Sequence, residues 1–242
     1  MDSASDTEGA YGAAKTGLAV ERPPMLLRDQ VVARLRQAII TGIYRPGERL
    51  LERELCDVLD VSRTSVREAL RQLEIEQLVS VGPRGRPFVA EIGADTAREI
   101  YAFRIVLERA AVELFIANAP EPAFSELQRL SVAFADALRR GDVDARLQVK
   151  SAFYQTLFGH AGNRPMQTVF TRLFNRIGFL RARSLSKAGN AAFRAGELQA
   201  IVERIVARDV AGAQDAIARH VRSVGEIAVS HLEHRSPEAR DD

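Results

Sequence analysis

The spacing of apolar residues between positions 95 and 234 constrains the fold more than any other feature of this 242-residue chain. Apolar residues recur three and four positions apart through long stretches rich in Ala, Leu and Arg, a pattern typical of amphipathic helices. Short breakers divide the stretch: NAPEP at 118–122, RRGD at 139–142, HAGNRP at 160–165, KAGN at 187–190 and ARD at 207–209. The pattern predicts an all-α antiparallel bundle over 95–234.

Composition places the chain among globular proteins, with 46% hydrophobic and 27% charged residues and a formal net charge of +2. The single Cys56 excludes a disulfide framework and a cysteine-rich zinc site, and it fits a reducing compartment. No apolar stretch reaches the roughly 18 to 20 residues needed to cross a bilayer. We therefore expect a cytoplasmic protein with no membrane partner.

The composition and periodicity of the sequence change along the chain and suggest its division into domains. Residues 1–24 are rich in Ser, Gly, Ala and Asp and show no periodicity, so we predict a disordered tail there and a second tail over 235–242. Residues 25–91 hold several short elements, whereas 95–234 hold the long helical stretches. This change predicts two domains.

Residues 25–91 carry a helix-turn-helix pattern followed by a hairpin. A short helix over 52–59, with Leu55, Val58 and Leu59 expected on its buried face, precedes Ser62, a suitable N-cap for the next helix. The buried stripe predicted for that next helix is Val66, Ala69, Leu70 and Leu73. Two β-prone runs, 79–81 and 88–89, flank the tip PRGRP, which predicts a β-hairpin wing.

Arginines fall where such a fold would meet DNA. Arg63, Thr64 and Arg67 lie opposite the buried stripe near the helix N-terminus, where Arg can bind the O6 and N7 atoms of guanine. The preceding helix carries Arg53, which can reach the DNA backbone, and the wing tip carries Arg84, Gly85 and Arg86, which suit a minor groove or its phosphates. The alternative is that these arginines only solvate an exposed surface.

Two segments resemble a known family. The run RPGERLLERELCDVLDVSRTSVREALRQLEIEQLV, with the wing sequence RGRPFVA, is similar to the winged helix-turn-helix of GntR-type transcriptional regulators over residues 28–91. The remainder, opening EIYAFRIVLERAAVELF, resembles the FCD effector domain of the FadR subfamily over about 95–234. The resemblance implies a mainly α fold and DNA contacts by Arg53, Arg63, Arg67 and Gly85, supported by the hydroxyls of Ser62 and Thr64.

Several polar residues lie on the predicted apolar faces of the bundle. They are Arg104, Lys150, Tyr154, Arg181 and His220. A cation on an apolar face is costly unless it is paired or meets a ligand, although each one could also be a salt-bridged core residue or a snorkelling stem. Because no acidic residue occurs between Asp144 and Glu197, local carboxylate partners are scarce. We therefore expect these five residues to form a pocket for an anionic effector.

The resemblance also raises the question of a metal. FCD domains commonly hold a divalent ion through an Asp, a His four residues later and two further His residues. At the corresponding positions this chain has Lys150, Tyr154 and Leu198, and it keeps only His220. One ligand of four cannot hold a metal, so we predict a pocket with no metal and no cofactor, in which Lys150 attracts a carboxylate or phosphate.

The leading hypothesis is therefore a transcriptional regulator, expected to be a repressor, that binds a pseudo-palindromic operator as a homodimer. A small anionic metabolite of the carboxylate type would change its DNA affinity. One alternative is a ligand-independent architectural dimer on DNA. The other is an enzyme using the cationic pocket with Tyr154 or His220 as acid or base, but no nucleophile motif, P-loop or dinucleotide fingerprint supports it, and we expect no enzyme.

Overall fold

The computed structural model describes residues 27–178, 180 and 191–234. Both predicted tails, 1–24 and 235–242, and the predicted pocket residue Arg181 lie outside the described residues. Within these ranges the chain forms nine α-helices and one two-stranded antiparallel sheet, which confirms the mainly α class with a small hairpin. None of the described helices is long and apolar enough to span a membrane.

The N-terminal part has the predicted order of elements. Helices α1 (Leu27–Thr41), α2 (Glu52–Leu59) and α3 (Arg63–Ile75) are followed by β1 (Val79–Gly82) and β2 (Arg86–Val89). The strands pair with Val79 opposite Val89 and Gly82 opposite Arg86. The segment before α2 also lies along the hairpin, since the Leu50 amide donates to the Pro87 carbonyl at 2.9 Å. This third extended segment was not predicted.

Helix α3 begins where its cap was expected. The Ser62 hydroxyl accepts a hydrogen bond from the Ser65 amide at 3.2 Å, which satisfies one of the free N–H groups at the helix start. The predicted stripe of α3 is buried as expected: Val66, Ala69, Leu70 and Leu73. The prediction for α2 was partly wrong, because Val58 is 72% exposed whereas Leu55 is 1% exposed.

The remaining helices form the bundle. They are α4 (Ala94–Asn118), α5 (Glu121–Arg139), α6 (Val143–His160), α7 (Arg164–Arg176), α8 (Ala191–Val206) and α9 (Val210–Glu233). The most extensive helix–helix packing is between α4 and α9, and α5 packs against both α6 and α8. At Gly225 the two long helices approach so closely that a Cβ atom would lie 2.9 Å from Cγ of Tyr101.

Buried apolar side chains form two separate clusters. One joins α1, α2, α3 and the hairpin, and the other fills the bundle around rings such as Phe115 and Phe153. The two parts touch where α1 meets the end of α7: a Cβ atom at Gly178 would lie 2.8 Å from Ile40. This contact places the N-terminal part against one side of the bundle.

Candidate DNA-binding surface and buried charged cluster

All eight residues predicted to bind DNA are exposed. They are Arg53, Ser62, Arg63, Thr64, Arg67, Arg84, Gly85 and Arg86. The opposite side of α3 is fully packed, so this helix presents one apolar and one basic face. Its N-terminus, where N–H groups favour phosphate, carries Arg63 and Thr64. The arrangement suits insertion of α3 into a major groove.

The side chain of Arg67 differs from that of its neighbour Arg63 because it already has a partner. Its Nε donates to both carboxylate oxygens of Glu52 on α2, at 2.8 and 3.0 Å. The Arg67 side chain is 61% exposed, so the pair is weak. Glu52 therefore pairs with Arg67 at the basic face and also puts a negative charge there.

The wing tip is a tight turn with two residues in the left-handed region. Arg84 has φ 65° and Gly85 has φ 71°. A Cβ atom at Gly85 would meet nothing within 4 Å, so the glycine is favoured by backbone conformation, and the open space lets another backbone approach. Both arginines of the tip are exposed to solvent.

The buried charged cluster begins with an ion pair on α4. Arg104 is 2% exposed and Glu108, one turn later, is fully buried. Arg104 Nε donates to Glu108 Oε1 at 2.8 Å, and its Nη2 donates to the Tyr154 hydroxyl of α6 at 3.0 Å. Burial raises the pKa of the Glu108 carboxyl, and the neighbouring Arg104 guanidinium opposes this shift. The guanidinium itself stays protonated.

A second chain of contacts links three helices. Lys150 Nζ on α6 lies 2.9 Å from His220 Nε2 on α9, and His220 Nδ1 lies 2.9 Å from Glu197 Oε2 on α8. Burial first, and then the charges of Lys150 and Arg104, hold the pKa of His220 well below its ordinary value of 6.5. The imidazole is therefore neutral.

The contacts of His220 define its tautomer. An ammonium group has only protons to offer, so Lys150 donates and His220 Nε2 accepts. The ring proton must then lie on Nδ1, which donates to Glu197. The result is a directed hydrogen-bond chain from Lys150 through His220 to Glu197.

The structure thus brings together four of the five predicted pocket residues, Arg104, Lys150, Tyr154 and His220, and all four are buried. It also corrects the expectation that carboxylate partners are scarce, because Glu108 pairs with Arg104 and Glu197 accepts from His220. Glu108 could have been found from its position four residues after Arg104 on the same helix face. Glu197 could not, since it reaches the cluster from another helix.

Two further arginines were missed. Arg146 and Arg194 are both buried, at 5% and 7% exposure, and the charge of Arg194 acts on Glu197 and His220. Among the described residues the cluster thus contains four cationic side chains and two carboxylates. The segment 181–190, which the structure does not describe, contains no Asp or Glu in its sequence.

These residues do not fit a divalent metal site. The ammonium of Lys150 occupies the Nε2 lone pair of His220, the one nitrogen with which the retained histidine could bind an ion. Tyr154 accepts from an arginine, and Leu198 has no ligand atom. Among the described residues, the cluster offers mainly cationic hydrogen-bond donors, not metal ligands.

Comparison with known proteins assigns the chain to a family. Residues 27–89 match the bacterial regulatory proteins of the gntR family, and residues 99–223, just over half of the chain, match the FCD domain. The chain belongs to the GntR family. It is a DNA-binding transcriptional regulator with an FCD effector domain, and this family consists of regulators, not enzymes.

Individual relatives of this GntR regulator are also named as transcriptional regulators. YdhC of Bacillus subtilis (strain 168), an uncharacterized HTH-type transcriptional regulator, is 27% identical over 88% of this chain and 93% of its own. The HTH-type transcriptional regulator McbR of Escherichia coli (strain K12) is 33% identical over 62% of this chain and 67% of its own. The gluconate operon transcriptional repressor of Bacillus subtilis (strain 168) is 25% identical over 60% and 59% of the two chains.

A solved structure shares the fold. Escherichia coli McbR/YncC superposes with a TM-score of 0.78 at 24% identity, over 88% of this chain and all of that one. The likeness therefore extends over both the helix-turn-helix and the bundle.

Proposed function

We propose that this GntR regulator is a cytoplasmic repressor that binds a pseudo-palindromic operator as a homodimer and responds to a small carboxylate-type metabolite. The observation that carries the DNA-binding part is the exposed basic face of α3, opposite a buried apolar stripe, together with the exposed wing tip that carries Arg84 and Arg86. The relationship to the gluconate operon repressor supports the direction of regulation.

Operator binding by arginine variants tests this proposal. An operator selected from randomised DNA would be titrated by fluorescence anisotropy. Arg63→Ala should weaken binding by about 5- to 150-fold, because one bidentate base contact contributes roughly 1 to 3 kcal/mol. Arg86→Ala should weaken specific and random DNA alike. Arg139→Ala, an exposed change of equal charge on the bundle, is the matched control, and unchanged affinity in both Arg63→Ala and Arg67→Ala would refute the assignment.

Support for a dimer comes from α4. Phe103 and Val106 are 46% and 62% exposed and lie on the outer side of this helix, where a second copy could cover them. A C2 dimer places two recognition helices on two half-sites. Sedimentation should show monomers for Val106→Glu and dimers for Val132→Glu, an equally exposed valine on α5. Dimers in both variants would exclude this face.

Support for an anionic effector comes from the charge of the buried cluster. Four cationic side chains converge with two carboxylates, and the histidine between Lys150 and Glu197 is neutral. A carboxylate beside Lys150 and Arg104 would form charge-assisted hydrogen bonds in a site of low dielectric. The cluster therefore favours one anionic group on the ligand.

Thermal shift against a panel of organic acids tests the effector proposal. A ligand at one hundred times its Kd should stabilise the protein by about 2.7 kcal/mol, and Lys150→Met should lose this response. A protein that responds to no acid would favour the ligand-independent dimer. Metal analysis of the purified protein should find no stoichiometric divalent ion, and one Zn, Ni or Mn per subunit would contradict the proposed pocket.

A further inference from the structure

A cleft separates the N-terminal domain from the bundle. Helix α1 forms one wall and helices α6 and α7 form the other, around a volume of about 470 Å³. This size lies within the roughly 300 to 1,000 Å³ typical of small-molecule sites. Seven of the sixteen lining residues carry an amide or an aliphatic hydroxyl: Gln37, Gln148, Ser151, Gln155, Gln167, Thr171 and Asn175.

The cleft is unusual in its lack of charge. In a chain with 27% charged residues, Arg36 is the one charged residue among the sixteen described lining positions. Its guanidinium is neutralised, since Nε and Nη2 each donate to one oxygen of Glu76 at 2.8 Å. The cleft therefore selects against an ionic ligand, in contrast to the cationic cluster inside the bundle.

The lining is instead rich in groups that both donate and accept hydrogen bonds. Four of the ten glutamines in the chain line this one cleft. Each amide offers two donors and one acceptor, which matches the hydroxyl groups of a polyol, each of them donor and acceptor at once. The aromatic side chains of Tyr154, Phe170 and Phe174 also lie along the cleft, but they are buried and pack against one another, so they form its apolar floor.

We propose that this cleft is a binding site for a neutral saccharide, separate from the anionic effector site. Its walls belong to both domains, so an occupant favours the arrangement of the domains in which the cleft is formed. Tyr154 contributes to both places, because its ring lines the cleft while its hydroxyl accepts from Arg104 inside the bundle. The saccharide is therefore a second ligand of the same regulator, beside the anionic effector.

Saturation-transfer NMR on the full-length protein tests this assignment, with glucose, galactose, ribose and sucrose as probes at millimolar concentration. We expect saturation transfer to at least one sugar. Gln155→Leu on α6 and Gln167→Leu on α7 should each weaken its binding by about tenfold through the loss of hydrogen bonds. Gln128→Leu, an exposed glutamine of α5 outside the cleft, is the matched control and should bind normally.

Two results would overturn the assignment. The first is no transfer to any of the four sugars. The second is transfer that survives both cleft variants, or that Gln128→Leu abolishes equally. An effect of the bound sugar on operator affinity rests on the proposed function, but NMR detects the binding itself, so the two proposals fail separately.

Discussion

The buried pair of Arg104 and Glu108 allows a quantitative test of how the bundle tolerates internal charge. Both side chains are at most 3% exposed, and their closest atoms lie 2.7 Å apart. The perturbation is a double-mutant cycle: Glu108→Leu, Arg104→Met, and the two together. Each single change leaves one buried charge without its ion partner, whereas the double change replaces the pair with apolar groups of similar volume.

The magnitude follows from the geometry. Two unit charges about 4 Å apart attract by about 4 kcal/mol at an effective dielectric constant of about 20, an attraction that offsets the cost of removing both charges from water. Each single variant should therefore lose about 3 to 5 kcal/mol of unfolding free energy. A loss of this size is a large part of the roughly 5 to 15 kcal/mol by which a typical domain is stable. The double variant should lie within about 2 kcal/mol of the natural chain.

Urea unfolding followed by circular dichroism measures these free energies, with the slope m checking that each variant unfolds in the same way. If a single variant is too unstable to purify, the Glu108→Gln variant keeps the shape and removes only the charge. A coupling energy below about 1 kcal/mol, the value typical of exposed pairs, would refute the description of this pair as buried and dependent on its partner.

Three further predictions follow from single contacts. The free energy of unfolding should fall as the pH drops below 6.5, by up to about 1.4 kcal/mol per pH unit. The reason is that the folded state holds His220 neutral while the unfolded state binds the proton. Urea unfolding at a series of pH values measures this free energy. Glu52→Gln should raise affinity for any DNA about two- to fivefold by freeing Arg67 and removing a negative charge, as read by anisotropy. Gly225→Ala should lower stability by about 1 to 2 kcal/mol, since its Cβ would clash with Tyr101.

Each of these has a matched control. His220→Gln should abolish most of the fall in stability at acid pH. Burial raises the pKa of Glu108 and Glu197, so their contributions have the opposite sign and cannot produce this fall. A fall that is unchanged in His220→Gln would therefore contradict the role of His220. Glu54→Gln removes the same charge from α2 without a bond to Arg67, so an equal gain in DNA affinity there would contradict the pairing argument. Gly196→Ala, which meets nothing within 4 Å, should not destabilise the protein.

Helical periodicity predicted which side chains point inward but not what they meet. The positions of Arg104, Lys150 and Tyr154 relative to apolar neighbours three and four residues away were enough to place them in the interior. The same reasoning failed at Val58, because α2 has only two turns and buries Leu55 and the side of the helix toward Leu59 instead. In a helix of two turns, the spacing of apolar residues alone does not determine which residue lies at the centre of the packed face.

Partners from distant parts of the chain were beyond the reach of sequence spacing. Glu197 and His220 lie 23 residues apart on neighbouring helices, and Glu52 and Arg67 lie 15 residues apart on α2 and α3. Counting acids near the cations therefore underestimated the available carboxylates. The same count of charged residues also indicated an excess of cations, and the described cluster has that excess.

The cluster also limits how an anion could act on the rest of the protein. Arg104 is shared between Glu108 and Tyr154. An anion that binds this guanidinium competes with both, but the buried ion pair costs far more to break than one neutral hydroxyl contact. The bond to Tyr154 would therefore break before the ion pair to Glu108.

Release of this hydroxyl would act on a ring that packs toward the DNA-binding domain. The Tyr154 ring packs against Phe170 and Phe174 of α7, with ring centroids 5.0 and 4.8 Å away. The end of α7 leads to Gly178, which leaves no room for a Cβ atom beside Ile40 of α1. Close-packed contacts of this kind repack between discrete arrangements and do not deform gradually. An anion can therefore shift the recognition helix only if it binds more tightly to one of two such packings, and Tyr154 is the side chain through which that difference would arise.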